Sequence, residues 1–221
     1  ERVESAERLA LGWLETRTET ELQAYTGIVQ IAHELIAEAF SSAVVHPGVT
    51  TTDDVVWWFR QRISDMGLEA WFHPTVSIQA PGQRWREEGA RNRILPGDLL
   101  HCDVGLYYLG LATDTQQLAY VLRPGETEAP EGLRAALAAG NRLQDITAEE
   151  FIEGRTGNEI LKAALDRAEQ ENIEALVYTH PLGYHGHAAG PTIGLWDRQE
   201  GVPGRGDYEL FPNTCYALEL S

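Results

Sequence analysis

The segment that says most about the fold is GDLLHCDVGLYYLGLATDTQQ, residues 97–117, in which Asp103 and Asp114 lie eleven positions apart. Both flanks have the composition of strands, and the apolar segment 106–111 between them carries a glycine where a hairpin can turn. Such a hairpin would bring the two carboxylates together, where both cannot stay ionised without a partner. A metal ion is the simplest partner, and it would need further ligands from the rest of the chain.

Composition excludes several classes of protein. The 221 residues are 43% hydrophobic, which suits one large domain or two small ones. A formal charge of −17 disfavours binding to nucleic acid and favours either cation capture or a solvated surface. No apolar run is long enough to span a membrane, so no membrane partner is expected. The start at Glu1 has no signal-peptide pattern, which leaves the compartment of a soluble chain open, cytoplasmic or exported after signal removal.

Helices are expected to alternate with strands twice along the chain. This order predicts an α+β fold of two similar halves. Helices are predicted up to about residue 42, from the Thr51–Asp54 start signal to 66–67, over 133–151 and over 156–172. Strands are predicted at 71–79, around Asp103 and Asp114, at 175–178 and at 214–220. A polar surface loop is predicted at 83–93.

A second cluster of chemistry-bearing residues is THPLGYHGHAAGP, residues 179–191, which holds three of the seven histidines. In an extended strand His185 and His187 would share a face. A lone histidine is more often a satisfied polar residue than a ligand, but three beside glycines favour a site.

Glu219 is the third element of interest, an acid inside the apolar strand 216–220. Burial would be costly unless the carboxylate is paired or metal-bound, and the alternative is an edge strand with Glu219 facing water. Alternation places Glu219 on the side of Ala217. Carboxylate and imidazole donors together suit Mn, Co, Fe or Zn, and bridging carboxylates favour two ions that activate a hydroxide.

In its motif order the chain resembles the pita-bread metallopeptidases of the M24 type. The shared pattern is Asp, eleven positions, Asp, then the Gly-His-x-x-Gly segment at 186–190, then the apolar strand with Glu219. The family includes methionine aminopeptidases, prolidases, Xaa-Pro aminopeptidases and creatinases. The segments PGVT at 47–50 and PGDLL at 96–100 are most similar to the Xaa-Pro aminopeptidase branch.

The resemblance covers about residues 5–219 and implies a fold and an assembly. The fold would be two pseudo-symmetric helix-plus-strand halves around a curved antiparallel sheet. Residues 1–221 would form a single catalytic domain, truncated at the C-terminus and preceded by an N-terminal domain in the full protein, and a homodimer is compatible with it.

The resemblance also implies a site for two divalent metal ions, Mn, Co, Zn or Fe. Asp103 would chelate one ion, Asp114 would bridge both, and His187 and Glu219 would complete the ligands found in this chain. A metal-activated hydroxide would hydrolyse the N-terminal bond of a peptide substrate. His180 or His185 would then donate to the substrate carbonyl as the catalytic histidine.

Three departures from the family pattern bear on this assignment. A second glutamate ligand is expected on a strand after Glu219, and the sequence ends at Ser221. Trp196 stands where the family has a histidine. A substrate-side histidine is expected at 85–86, where the sequence has Trp-Arg, and His73 lies further upstream. His73 and Trp196 are therefore the candidate substrate-binding residues.

Two other functions remain open from the sequence. One is a pita-bread domain that binds peptides or proteins without catalysis, which the histidine departures favour. The other is a metal-free amidinohydrolase similar to creatinase, although such an enzyme would replace the acidic ligands that this chain keeps.

Overall fold

The computed structural model describes residues 3–82 and 92–221, and these divide into two compact units. The first, here the aspartate unit, is Ala24–Glu131; the second, the histidine unit, is the chain up to Gln23 together with Gly132–Ser221. Most of the stretch predicted as a polar surface loop lies outside the described residues. No helix among the described residues is long and apolar enough to cross a membrane.

Two helices and six short strands build the aspartate unit. The helices are α2 (Glu19–Ala39), which starts just before the unit, and α3 (Thr52–Asp65); the strands are β1 (Glu69–Ala70), β2 (Thr75–Gln79), β3 (Leu99–Val104), β4 (Leu106–Tyr108), β5 (Leu111–Ala112) and β6 (Thr115–Tyr120). Antiparallel pairing gives two three-stranded sheets, in the orders β1-β4-β5 and β2-β3-β6. Their apolar sides join the inner faces of α2 and α3 in one core, which includes Ile28, Leu35, Phe59, Leu100 and Leu106.

The histidine unit has three helices and three strands. The helices are α1 (Glu7–Glu15), α4 (Glu131–Glu149) and α5 (Gly157–Gln170), and the strands are β7 (Val177–Gly183), β8 (Gly186–His187) and β9 (Cys215–Leu220). The strands form an antiparallel sheet in the order β8-β7-β9. A core that includes Leu143, Ile160, Leu161, Val177 and Ile193 packs beside it.

The helix starts follow from local side-chain chemistry. Thr51 caps α3 and Thr156 caps α5, each in a reciprocal capping box with the acid three residues later. The α3 start agrees with the sequence signal at 51–54.

The helical region predicted up to about residue 42 consists of two helices, α1 and α2, because the chain is extended at Thr16. Thr18 then starts the next helix, since its hydroxyl accepts from the Glu21 N–H at 3.3 Å and the Glu21 carboxylate accepts from the Thr18 N–H at 2.7 Å. The strand predicted at 71–79 is also divided. Its end is β2, while residues 71–74 leave the ladder after β1.

The predicted hairpin between the two aspartates is confirmed as β4 and β5. Tyr108 pairs with Leu111, so Leu109 and Gly110 form a two-residue loop, both at positive φ. Strands β3 and β6 flank this hairpin and pair with each other instead. The chain therefore leaves one sheet after Val104 and rejoins it at Thr115.

Candidate metal centre

One face of the β7–β9 pair carries an imidazole and a carboxylate in contact. His180 is opposite Ala217 and Tyr178 is opposite Glu219, so alternation puts His180 and Glu219 on the same side. The Nε2 atom of His180 lies 3.1 Å from Oε1 of Glu219. His180 is buried and Glu219 is half-buried. The hydrogen bond to His180 offsets the free energy that burial of the Glu219 carboxylate costs.

The β7–β8 hairpin brings a second imidazole to the same face. Leu182 pairs with His187, which places His187 beside His180 in the sheet. The centroids of the two rings are 3.8 Å apart, and ring nitrogens of the two lie within 4.8 Å of each other. Because His187 is exposed, this pair offers donor atoms toward solvent.

Aromatic rings extend this face beyond His180. The Tyr178 ring lies 5.4 Å from the ring of His180 and 5.6 Å from that of Trp196, the candidate substrate-binding residue. Trp196 is thus in the same row of rings, packed edge-on against Tyr178.

His185 occupies a different position from the one expected. Strand β7 ends at Gly183, and Tyr184 and His185 form the tip of the turn before Gly186, which has φ of 87°. The expectation that His185 and His187 share one strand face is therefore wrong. His185 is exposed and its ring packs against Tyr184 at 4.6 Å.

In the aspartate unit, the two predicted carboxylate ligands lie near the same end of the β3–β6 ladder. Asp103 on β3 is opposite Gln116 on β6, and Asp114 lies two positions before Gln116. Asp103 and Gln116 therefore share a side of this ladder, and Asp114 stands one residue before β6 begins. Both are half-buried.

The residues around the aspartates have defined roles. His101 shares the side of Asp103, and its Nε2 lies 2.8 Å from Oε1 of Gln116. Cys102 points to the opposite side, where burial raises the pKa of its thiol to about 12, as expected for a small core residue. The hydroxyl of Thr113 accepts from the Leu106 N–H at 3.0 Å.

His73, the other candidate substrate-binding residue, is exposed on the segment between β1 and β2. It lines a cavity of about 380 Å³ together with Arg60, Trp71 and Phe72. The cavity combines two basic side chains with two aromatic rings, which is a surface suited to an acidic or aromatic group of a ligand.

The donor chemistry in both units fits divalent transition metals. Two carboxylates lie near one end of the β3–β6 ladder, and two imidazoles and a carboxylate share one face of the β8-β7-β9 sheet. Mixed oxygen and imidazole nitrogen donors suit Mn, Co, Fe or Zn, whereas thiolates would favour a structural zinc. The two cysteines are buried and free, so they do not supply the latter.

Sequence reasoning missed three residues that contact this region. Tyr178 could have been found from alternation with His180. Trp71 and Tyr25 are distant from Asp114 in the sequence, yet both bind the backbone next to it. Such contacts depend on pairing between distant segments, which local pattern does not encode.

Comparison with known proteins decides the family. The model of metallopeptidase family M24 matches residues 27–220. The chain belongs to this family. Its fold is the pita-bread fold, as solved structures similar to it show, and membership of a metallopeptidase family implies the use of divalent metal ions. No curated protein sequence matches the chain.

Solved structures similar to the chain are peptidases. The X-Pro aminopeptidase from Thermotoga maritima has a TM-score of 0.73 at 15% identity over 96% of this chain and 56% of its own. The prolidase from Thermococcus sibiricus has a TM-score of 0.70 at 16% identity, over 96% and 54%. The methionine aminopeptidase from Thermotoga maritima has 0.61 at 18%, over 91% and 79%. The chain thus spans little more than half the length of the first two.

Proposed function

We propose that this chain is the catalytic part of a metal-dependent exopeptidase that hydrolyses the N-terminal bond of peptides. The observation that carries the proposal is the group formed by His180, His187 and Glu219 on one sheet face, with contacts of 3.1 and 3.8 Å. A module that only binds peptides has no need to hold two imidazoles against a half-buried carboxylate. Membership of a metallopeptidase family supports the same reading.

The proposed metal ligands are Asp103, Asp114, His187 and Glu219. Divalent ions bound there would supply a nucleophilic hydroxide at neutral pH and polarise the scissile carbonyl. The support is the chemistry of the donors, since the aspartates lie near the same end of one ladder and His187 and Glu219 share a face of the β8-β7-β9 sheet.

His180 is the favoured proton donor of the two catalytic candidates. Its Nε2 hydrogen-bonds Glu219, which orients the imidazole and favours its protonated nitrogen on that side. His185 at the exposed turn is the second candidate, and it would need to reach the substrate from the hairpin tip. The variants His180→Gln and His185→Gln separate them, because loss of kcat should follow only the true donor.

Preference for proline in the second position is the finer part of the proposal. It rests on the motif resemblance and on the fold that the chain shares with an X-Pro aminopeptidase and a prolidase. His73 and Trp196 are proposed to contact the peptide, the former from the cavity beside Trp71 and the latter from the aromatic row beside Tyr178.

A panel of peptides tests this function. The Mn²⁺-reconstituted chain is incubated with Ala-Pro, Ala-Pro-Ala, Met-Ala-Ser and N-acetyl-Ala-Pro-Ala, and the products are identified by mass spectrometry. We expect release of the first residue from the free-amino Xaa-Pro peptides and none from the acetylated peptide. Cleavage of Met-Ala-Ser alone would contradict the preference for proline but support the exopeptidase activity. If no peptide is cleaved, the proposal that the chain is an exopeptidase is contradicted.

A further inference from the structure

Asp114 lies at a gap in the β-ladder. Strand β5 ends at Ala112 in one sheet and β6 begins at Thr115 in the other, so residues 113 and 114 belong to neither strand. The Thr113 N–H donates to the Leu106 carbonyl at 2.8 Å, which continues the β4–β5 pairing by one bond before the chain crosses to the other sheet. Further support matters at this crossing, because a ligand carboxylate must keep its position to within fractions of an ångström.

Two aromatic side chains bind the carbonyls directly before Asp114. The indole Nε1–H of Trp71 donates to the carbonyl of Thr113 at 2.6 Å. The hydroxyl of Tyr25 donates to the carbonyl of Ala112 at 2.9 Å. One donor comes from the segment after β1 and the other from α2, so the two bonds hold consecutive peptide groups from independent elements.

The indole of Trp71 is itself held in place against Gly105, the residue between β3 and β4. Its backbone N–H donates to the carbonyl of Gly105 at 3.3 Å, and a Cβ at position 105 would clash with the indole and with Phe72. Phe72 packs edge-on against the indole, with ring centroids 4.6 Å apart. Position 105 is two residues after Asp103, and a glycine is needed there for the indole to reach Thr113.

We infer that Trp71 and Tyr25 are positioning residues, which fix the backbone of Asp114 so that its carboxylate is presented to a divalent metal. This inference rests on the proposed function, since it takes Asp114 as a metal ligand. It assigns a role to two residues that are not themselves among the proposed metal ligands. Groups that orient a ligand in this way commonly contribute about 10- to 100-fold to metal affinity.

Two conservative variants test the inference. Tyr25→Phe removes one hydroxyl, and Trp71→Phe removes the indole N–H but keeps an aromatic ring over Gly105. Calorimetric titration with Mn²⁺ should show a loss of affinity of about 10-fold for each, and a larger loss for both together. The exposed Trp57→Phe and Tyr108→Phe are matched controls, expected to bind as the wild type does.

A second readout separates positioning from a general loss of structure. The visible spectrum of the Co²⁺ form reports ligand geometry, and we expect it to change in both variants while thermal unfolding of the metal-free chains stays close to wild type. If Trp71→Phe does not fold, Tyr25→Phe alone decides. Unchanged Mn²⁺ affinity and Co²⁺ spectrum in Tyr25→Phe, with the wild type binding metal, would overturn the positioning role. Absence of metal binding by the wild type would instead overturn the proposed function.

Discussion

Asp103 and Asp114 carry most of the chemical argument at the scale of single residues. Two carboxylates near the same end of a ladder repel each other when both are ionised, and a divalent cation removes that repulsion. The fold does not need either carboxylate in its core, since both residues are only half-buried. Replacing the charge should therefore affect the metal far more than the structure.

The variants Asp103→Asn and Asp114→Asn test this directly. Each keeps the size and a hydrogen-bonding capacity of the side chain while removing a charged ligand oxygen. We expect each to lower Mn²⁺ affinity by at least about 100-fold and to abolish peptidase activity, with an unchanged far-UV circular dichroism spectrum. Asp53→Asn, in the exposed first turn of α3, is the control. Wild-type hydrolysis by either site variant would contradict the ligand assignment.

Glu15 is a second residue whose environment sets its chemistry. It is almost fully buried at the end of α1, where one oxygen accepts from the Tyr216 hydroxyl at 2.6 Å. Its other oxygen is buried without a hydrogen bond to any described residue. Burial raises the pKa of Glu15 from 4.5 to about 7, against opposing effects of the Tyr216 bond and the charge of Arg17. The other charged groups along the adjoining cavity are Glu7, Arg8, Asp207 and Glu209.

Glu15→Gln should stabilise the protein in a pH-dependent way. The folded state keeps the proton on Glu15 between pH 4.5 and about 7 while the unfolded state loses it, so wild-type stability falls across that range. A neutral amide has no such loss. We expect the gain from the substitution to grow by about 3 kcal/mol from below pH 4.5 to above pH 7. Urea unfolding at both pH values measures it, with the exposed Glu200→Gln as control. An equal effect at both pH values would contradict the account.

At the scale of elements, the β4–β5 hairpin controls where Asp103 and Asp114 stand in sequence and in space. Its loop of Leu109 and Gly110 has positive φ at both positions, 53° and 75°, as in a type I′ turn. Gly110 adopts this freely. Leu109 does not, because its Cβ crowds the backbone there, and its side chain is 69% exposed and contributes little packing.

Leu109→Asn should therefore stabilise the hairpin. Asparagine tolerates the left-handed conformation and Asn-Gly is the preferred I′ pair, so a gain of about 1 kcal/mol in the free energy of unfolding is expected. Leu109→Ala is the matched control, since it removes the exposed apolar group without favouring positive φ. Equal stability of the two variants in chemical denaturation would contradict the turn assignment.

The elements also show how far the sequence predicts this fold. The capping signal at 51–54, the hairpin at 106–111 and the face of Glu219 depend on neighbours in the chain, and all three were predicted from it. The strand predicted at 71–79 is reduced to β2 because the chain before it pairs through β1 with β4 and then crosses to pair with β3, and periodicity does not reveal such distant partners. The turn that separates His185 from His187 was missed because a Gly-rich stretch fits either a strand or a hairpin.

At the scale of the whole molecule, the acidic surface complicates any claim about metal. With a formal charge of −17, exposed carboxylates will attract cations without forming a site. Specific binding must therefore be stoichiometric, must survive moderate salt, which screens exposed charges, and must depend on the proposed ligands. Membership of metallopeptidase family M24 makes such binding the central expectation for this chain.

Metal stoichiometry tests that expectation most directly. The chain is stripped with a chelator, equilibrated with Mn²⁺ at physiological ionic strength, desalted, and its metal content measured by inductively coupled plasma mass spectrometry beside that of Asp114→Asn. The account predicts about two equivalents bound by the wild type and a clear loss in the variant. A wild-type content well below one equivalent, or the same content in both proteins, would contradict it.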